Sequence, residues 1–107
     1  MRLVISDPII ENEVVLMRRL GYSPHENFEG KLSFVRRTSN LPFPRLHIYL
    51  ETGPQGLFLK IHFDAKRETY EPGKVHSLEK TGDVLENEIK RIYQILRGSY
   101  GQIYLVK

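Results

Sequence analysis

Two neighbouring stretches of alternating residues place histidines and a carboxylate where proton transfer could occur. His47 lies in the run of residues 45–51, and His62 and Asp64 lie in the run of residues 57–64. In each run every second side chain is aliphatic or aromatic, and successive side chains of a strand point to opposite faces of a sheet. The histidines and the aspartate should therefore share one face, while the apolar rows form the other.

Imidazole side chains on that face could donate and accept protons. Histidine titrates near neutral pH, and a neighbouring carboxylate or lysine can orient its ring. A ribonuclease needs a base for the 2′-hydroxyl, an acid for the leaving oxygen and a cation beside the phosphorane. We predict that His47 and His62 are catalytic, with support from Lys60 and Arg45.

The same face mixes cations with aromatic rings, as RNA binding requires. Cations contact phosphates, and aromatic rings stack on the bases of single strands. The predicted RNA-binding residues are Arg37, Arg45, Tyr49, Phe58 and Lys60. The partner could be single- or double-stranded RNA. Exposed tyrosine, phenylalanine and arginine suit a protein partner or self-association equally well, so a non-enzymatic interaction module or homodimer is the alternative function.

Histidines grouped with a carboxylate could also bind a divalent metal ion such as zinc. The candidate ligands are His47, His62, Asp64 and His76, the last of which lies in a long connection. Histidine–aspartate pairs two residues apart are frequent by chance, and no spacing fixes the convergence of all four side chains. The leading prediction therefore includes neither a metal site nor a cofactor.

A hairpin should position the two histidines. Residues 52–56 are almost entirely turn formers, which predicts an antiparallel connection between the two runs. Because a slip of one residue would expose the core row, two main registers remain. One sets His47 opposite Lys60, and the other sets His47 opposite His62. In both registers the two histidines are direct or diagonal neighbours.

Two amphipathic helices are available to cover the apolar face. Asp7 and Pro8 are typical of a helix start, which predicts a helix over residues 7–20 that ends at Gly21. A second helix is predicted over residues 83–97, with a start that resembles a capping box. The apolar stripes are Ile10, Val14 and Met17 on the first helix, and Leu85, Ile89, Ile92 and Leu96 on the second.

The remaining segments complete an α+β architecture. Strand Lys31–Arg37 joins the hairpin in a three-stranded antiparallel meander, while Arg2–Ile5 and Ile103–Val106 could add short strands. Residues 23–30 are expected to form a polar loop, and residues 65–82 a long connection without a clear period. The order (β)-α-β-β-β-α-(β) predicts a two-layer sandwich with both helices on one face of the sheet.

Composition limits the classes of function. A length of 107 residues predicts a single domain over residues 1–107. The formal charge of +3 and the pI of about 9.3 permit a polyanionic partner without requiring one. The absence of cysteine excludes disulfides, thiolate metal sites and a cysteine nucleophile. No signal peptide or membrane-spanning run is recognisable, so a cytoplasmic location without a membrane partner is expected.

Four short motifs accompany this order of elements. They lie at residues 16–22 at the end of the first helix, at 34–37 and 47–49 on the first two strands, and at 59–62 on the third. In these motifs and in topology the chain resembles the HicA toxins, small ribonucleases with a double-stranded-RNA-binding-like fold. The resemblance implies RNA cleavage, with His47 at the place of the catalytic histidine of the family. The family usually has Gly-Ser before that histidine, where this chain has Arg45 and Leu46.

Overall fold

Six strands and two helices make up the described chain, which covers residues 1–28, 31–41, 44–64 and 76–106 of the computed structural model. The elements in order are β1 (Arg2–Ile5), α1 (Glu13–Arg19), β2 (Ser23–Phe28), β3 (Lys31–Arg37), β4 (Arg45–Gly53), β5 (Gly56–Asp64), α2 (His76–Leu96) and β6 (Ile103–Val106). The predicted α+β class is confirmed.

The strands form one antiparallel sheet in the order β2-β3-β4-β5-β1-β6. The predicted meander, β3-β4-β5, lies at the centre of the sheet. The two short strands predicted near the ends of the chain are also present, since β1 pairs with β5 and β6 pairs with β1. The β4–β5 turn ends at Gly56, whose φ is +130° and where an added Cβ would lie 2.1 Å from the carbonyl oxygen of Ile5. Only glycine fits where β1 passes this end of the hairpin.

The prediction of a polar loop over residues 23–30 was wrong, because Ser23–Phe28 is the edge strand β2. Pro24 and Asn27 are poor strand formers, and the segment lacks an alternating pattern. It nevertheless pairs with β3, Ser23 lying opposite Val35, and its register shifts between His25 and Phe28. A proline is tolerated on an edge strand, and a bulge absorbs the irregular spacing. Residues 29–30 lie outside the described chain.

The predicted start of the first helix was also wrong. Helix α1 begins at Glu13, six residues after Asp7, and Asn12 is its N-cap, since the Asn12 side chain accepts a hydrogen bond from the N–H of Val14 at 2.8 Å. Asp7 instead accepts hydrogen bonds from the backbone N–H groups of residues 101 and 102. The Asp7 carboxylate thus holds the segment that leads into β6, a role that the sequence pattern did not indicate.

The later start leaves part of the predicted apolar stripe outside α1. Ile10, predicted in the apolar stripe, precedes the helix and is 76% exposed, whereas Leu16, Met17 and Leu20 are fully buried. The predicted end of the helix is confirmed, because Gly21 follows it with a φ of +90°. A positive φ is the backbone conformation that glycine adopts most readily at a helix C-terminus.

The second helix is longer than predicted. It begins at His76 and ends at Leu96, so the capping box expected at Asp83 and Glu86 is wrong and both residues lie inside the helix. Gly82 costs about 1 kcal/mol inside a helix, but the helix continues through it. Residues 65–75 of the predicted long connection lie outside the described chain.

Both helices pack on the same face of the sheet, as predicted. The core joins their apolar residues to the inward rows of the strands, and its largest members include Leu3, Ile5, Leu16, Met17, Phe34, Leu46, Ile48, Leu59, Ile61 and Ile92. The predicted stripe of α2 is confirmed, since Ile89, Ile92 and Leu96 are buried and Leu85 packs against them. Among the described helices, none is long and apolar enough to cross a bilayer.

A buried carboxylate joins α2 to the chain that follows α1. Glu88 is 5% exposed and accepts hydrogen bonds from the hydroxyl of Tyr22 at 2.6 Å and from Arg91 at 2.7 and 2.9 Å. Arg36 of β3 lies 3.5 Å from the same carboxylate. Burial raises the pKa of Glu88, but the hydrogen bonds from Arg91 and Tyr22 and the arginine charges outweigh burial and hold the pKa below its usual value.

Candidate functional site

The side of the sheet opposite the helices, here called the outer face, holds every residue predicted for the site. These residues are His47 and His62, predicted as catalytic, and Arg37, Arg45, Tyr49, Phe58 and Lys60, predicted to bind RNA. They share a face because they alternate along β3, β4 and β5 with residues of the buried core.

Strands β4 and β5 pair in the second of the two predicted registers. His47 lies opposite His62, and Arg45 lies opposite Asp64. Side chains directly opposite each other have Cβ atoms about 4.5–5.5 Å apart, so this register brings both histidines and the aspartate together. Arg37 of β3 lies opposite Arg45 and adds positive charge beside the group.

Asp64 holds the ring of His47 in a defined orientation. Its Oδ2 lies 3.3 Å from Nδ1 of His47 and 3.3 Å from Nε of Arg45. A ring nitrogen that faces a carboxylate carries the proton, which leaves the other nitrogen as the acceptor. The contact with Asp64 therefore makes Nε2 the basic atom of His47.

That basic atom is buried. His47 is 8% exposed, and its Nε2 has no hydrogen-bond partner among the described residues. The ring packs beside Tyr49, with centroids 4.4 Å apart, and beside His25, with centroids 5.7 Å apart. Buried polar atoms without partners are rare in native proteins, and one at a cluster of titratable groups points to a chemical role.

The surroundings keep both histidines neutral at pH 7. Burial lowers the pKa of His47, Arg45 and His25 lower it further, and Asp64 opposes them without reversing the shift. Burial also lowers the pKa of His62, with smaller contributions from the N-terminal ammonium group and Lys60. Each imidazole therefore enters the site in its proton-accepting form.

These shifts predict an acid-sensitive contribution to stability. Because the pKa of His47 is lower in the folded state than the unfolded value of 6.5, the unfolded chain takes up its proton first as pH falls. The contribution is complete above about pH 6.5 and is lost as pH falls through the folded pKa. We expect the free energy of unfolding of His47→Gln, measured in urea, to decrease less than that of the wild type between about pH 7.5 and pH 5.5. Equal decreases would contradict this assignment.

His25 belongs to the same group, although the sequence did not reveal it. The Nε2 of His25 lies 3.4 Å from Nη1 of Arg45, and pairing with β3 places His25 opposite Ser33 on the outer face. The residue was missed because β2 has no alternating pattern. Its position depends on strand pairing, which a single sequence does not display.

A cleft opens beside the histidines at the end of β5. Its volume is about 540 Å³, and its lining includes Met1, His47, Tyr49, His62 and Asp64. The rings of Tyr49 and His62 meet edge to face at 5.8 Å along it. The cleft also reaches Ile61, Phe63 and Leu85 on the helix-covered side of the sheet, so it is a shallow depression around the end of β5.

A larger groove lies away from this chemistry. It has a volume of about 730 Å³ and runs between the segment before α1 and the end of the hairpin. The carboxylates on its rim already have partners, because Glu11 accepts hydrogen bonds from Arg19 and Tyr100, and Asp7 binds backbone N–H groups. We therefore assign the candidate site to the cleft beside His47 and His62. It is smaller than the groove, but the titratable side chains lie together there.

A metal centre is not formed by the described side chains. No group of three or more histidine, aspartate or glutamate residues among them has the geometry of a metal site. Of the three neighbouring candidates, His47 contacts Asp64 through Nδ1, and His62 lies opposite His47 in the strand register. The side chain of His76, the fourth candidate ligand, lies outside the described part of the chain.

Comparisons of the chain with protein-family models, with curated proteins and with solved structures found no match. The resemblance to the HicA toxins therefore stays a prediction from the motifs and the order of elements.

Proposed function

We propose that the outer face binds RNA and that His47 is the general base of a phosphodiester cleavage reaction there. The observation that carries the proposal is the contact of Asp64 with Nδ1 of His47, together with the buried Nε2 of the same ring, which has no partner among the residues that the structure describes. An imidazole that is neutral, oriented and flanked by cations has the properties of a base that acts on a polyanion.

The proposed reaction uses the hydroxyl that distinguishes RNA from DNA. Nε2 of His47 accepts the proton of a 2′-hydroxyl, and the 2′-oxygen forms a bond to the adjacent phosphorus. The bond from phosphorus to the 5′-oxygen breaks, and His62, after binding a proton from solvent, donates it to the leaving oxygen. The products are a 2′,3′-cyclic phosphate and a 5′-hydroxyl. One proton has passed from the 2′-hydroxyl to His47, and another has passed from His62 to the 5′-oxygen.

Access to Nε2 requires a local rearrangement. The atom is buried beside Tyr49 and His25 in the described structure, so the ribose reaches it after one of these rings rotates. After such a rotation, Tyr49 would be positioned to stack on the incoming base. The resemblance to the HicA toxins supports the same residue, because it places the catalytic histidine of that family at His47.

The charge of the face supports an RNA ligand. Arg45 and Asp64 form a local ion pair, whereas Arg37 on the neighbouring strand is exposed. Lys60 pairs with Glu51 at the far end of the same two strands. A phosphate backbone crossing the face would meet these cations in turn and release counterions from the RNA.

The test compares an RNA oligonucleotide with its 2′-deoxy analogue. We expect the protein to bind both with an affinity that falls as salt is raised, because phosphate contacts dominate. Only the RNA should be cleaved, and its product should carry a 2′,3′-cyclic phosphate that mass spectrometry detects.

Two outcomes would count against this function. Cleavage of the deoxy analogue would exclude attack by the 2′-hydroxyl. Failure to bind RNA even at low salt, together with a stable dimer in analytical ultracentrifugation, would favour the alternative of a self-associating interaction module.

A further inference from the structure

The outer face continues beyond the histidines onto β1 and β6. Val4 of β1 lies between Phe58 of β5 and Tyr104 of β6 in the sheet register. Val4 is only 2% exposed although it faces away from the helices, whereas Tyr104 is 55% exposed. The three residues therefore form an apolar row that is buried at Val4, half-buried at Phe58 and accessible at the Tyr104 ring.

Cations lie in the next row of the same face. Arg2 of β1 is opposite Lys60 of β5 on one side and Val106 of β6 on the other. The guanidinium carbon of Arg2 lies 5.8 Å from the centroid of the Phe58 ring. A cation over one ring and an exposed ring beside it are the two components with which proteins hold single-stranded nucleic acid.

We propose that Tyr104, with Arg2, forms a second RNA subsite, in which an unpaired base stacks on the Tyr104 ring while Arg2 contacts the adjoining phosphate. This inference rests on the proposed function and makes it more specific, because it names single-stranded RNA as the ligand. A base inside a duplex is stacked on its neighbours and cannot lie flat on a protein side chain.

The distance between the two subsites sets the length of RNA required. Tyr104 lies three strands across the sheet from β4 and level with Glu51, which is four residues along β4 from His47. At the usual strand spacing and rise per residue, the two subsites are about 20 Å apart. A dinucleotide cleaved at His47 does not reach Tyr104, whereas a decanucleotide does. Binding of long single strands should therefore depend on Tyr104, and cleavage of the dinucleotide should not.

The experiment measures the affinity of the full chain for a single-stranded decanucleotide of RNA. Tyr104→Ala should weaken binding about 5- to 100-fold, the usual effect of removing one stacking platform, without changing the salt dependence. Tyr104→Phe, which keeps the ring, should bind like the wild type. Arg2→Ala should lower the slope of log affinity against log salt by about 0.7, the value for one phosphate contact on a single strand.

The matched control is Tyr93→Ala, because Tyr93 is 42% exposed but lies on α2, in the other layer. If Tyr104→Ala and Tyr93→Ala bind the decanucleotide equally well, the second subsite does not exist. If the wild type binds RNA and only duplex affinity responds to Tyr104→Ala, the single-strand assignment is wrong. If the wild type binds no RNA, the proposed function fails as a whole, and this inference fails with it.

Discussion

Replacing His47 with glutamine is expected to lower the rate of RNA cleavage by about 10²- to 10⁴-fold, the usual contribution of a general base. Glutamine fills a similar volume and places an amide near the position of Nε2, but that amide is not basic. RNA affinity should change little, because the cations and aromatic rings of the face remain. Single-turnover cleavage and equilibrium binding of the same oligonucleotide separate the two effects.

His76→Gln is the matched control, since it makes the same substitution at the first residue of α2, outside strands β4 and β5. It should cleave at the wild-type rate. Comparable losses in both variants would remove His47 from the mechanism, provided that circular dichroism shows both proteins folded. Equal loss of binding and cleavage in His47→Gln would mean that the histidine positions RNA and does not transfer a proton.

The pH dependence of cleavage provides a second readout of the same residue. Since burial holds the pKa of His47 below 6.5, the acid limb of kcat/KM should have its midpoint below that value. Asp64→Asn removes the charge that raises this pKa, so the midpoint should move further down while the rate falls. A midpoint that stays in place would show that Asp64 does not interact with the catalytic imidazole.

Replacing Glu88 with alanine is expected to destabilise the protein by about 3 kcal/mol, the lower end of the range for breaking a buried ion pair. The loss leaves the Tyr22 hydroxyl and the two arginines without their shared acceptor. The lower end applies because both arginine side chains are 33% exposed and can regain water. Urea unfolding followed by circular dichroism measures the change, since the chain has no tryptophan.

Two further variants test whether the loss of stability comes from the buried contacts of Glu88. Tyr22→Phe removes one hydrogen bond to Glu88 and should cost about 1 kcal/mol. Glu86→Ala changes an exposed acid two residues from Glu88 and should stay within about 0.5 kcal/mol of the wild type. If Glu88→Ala were no more destabilising than Glu86→Ala, the cluster would contribute nothing to the folded state. Stability from Glu88 should also decline in acid, as pH falls through its lowered pKa.

The sequence by itself determined the parts of the fold whose signal is local. Alternation over β3, β4 and β5 identified the meander, and the spacing of Ile89, Ile92 and Leu96 identified the buried stripe of α2. Period-two and period-3.6 patterns follow directly from the backbone geometry of strands and helices. The same alternation placed all seven predicted site residues on one face before any pairing was known.

Local sequence patterns did not predict the role of residues that form hydrogen bonds with groups far away in the sequence. Asp7 is suited to cap a helix, but its carboxylate binds backbone N–H groups of residues 101 and 102. Glu88 appears in the sequence as one acid among several on a charged helix, yet it is the buried acceptor for Tyr22 and two arginines. Neither role depends on neighbours in sequence, so no periodicity predicts it.

The tertiary structure alone decided which residues complete the outer face. Two registers of the hairpin buried the same apolar rows, and the fold selected the one that places His47 opposite His62 and Arg45 opposite Asp64. The pairing of β2 with β3 added His25, and the pairing of β6 with β1 added Tyr104. Hydrophobic patterning fixes which face a side chain occupies, but the hydrogen bonds between strands fix which side chains it meets.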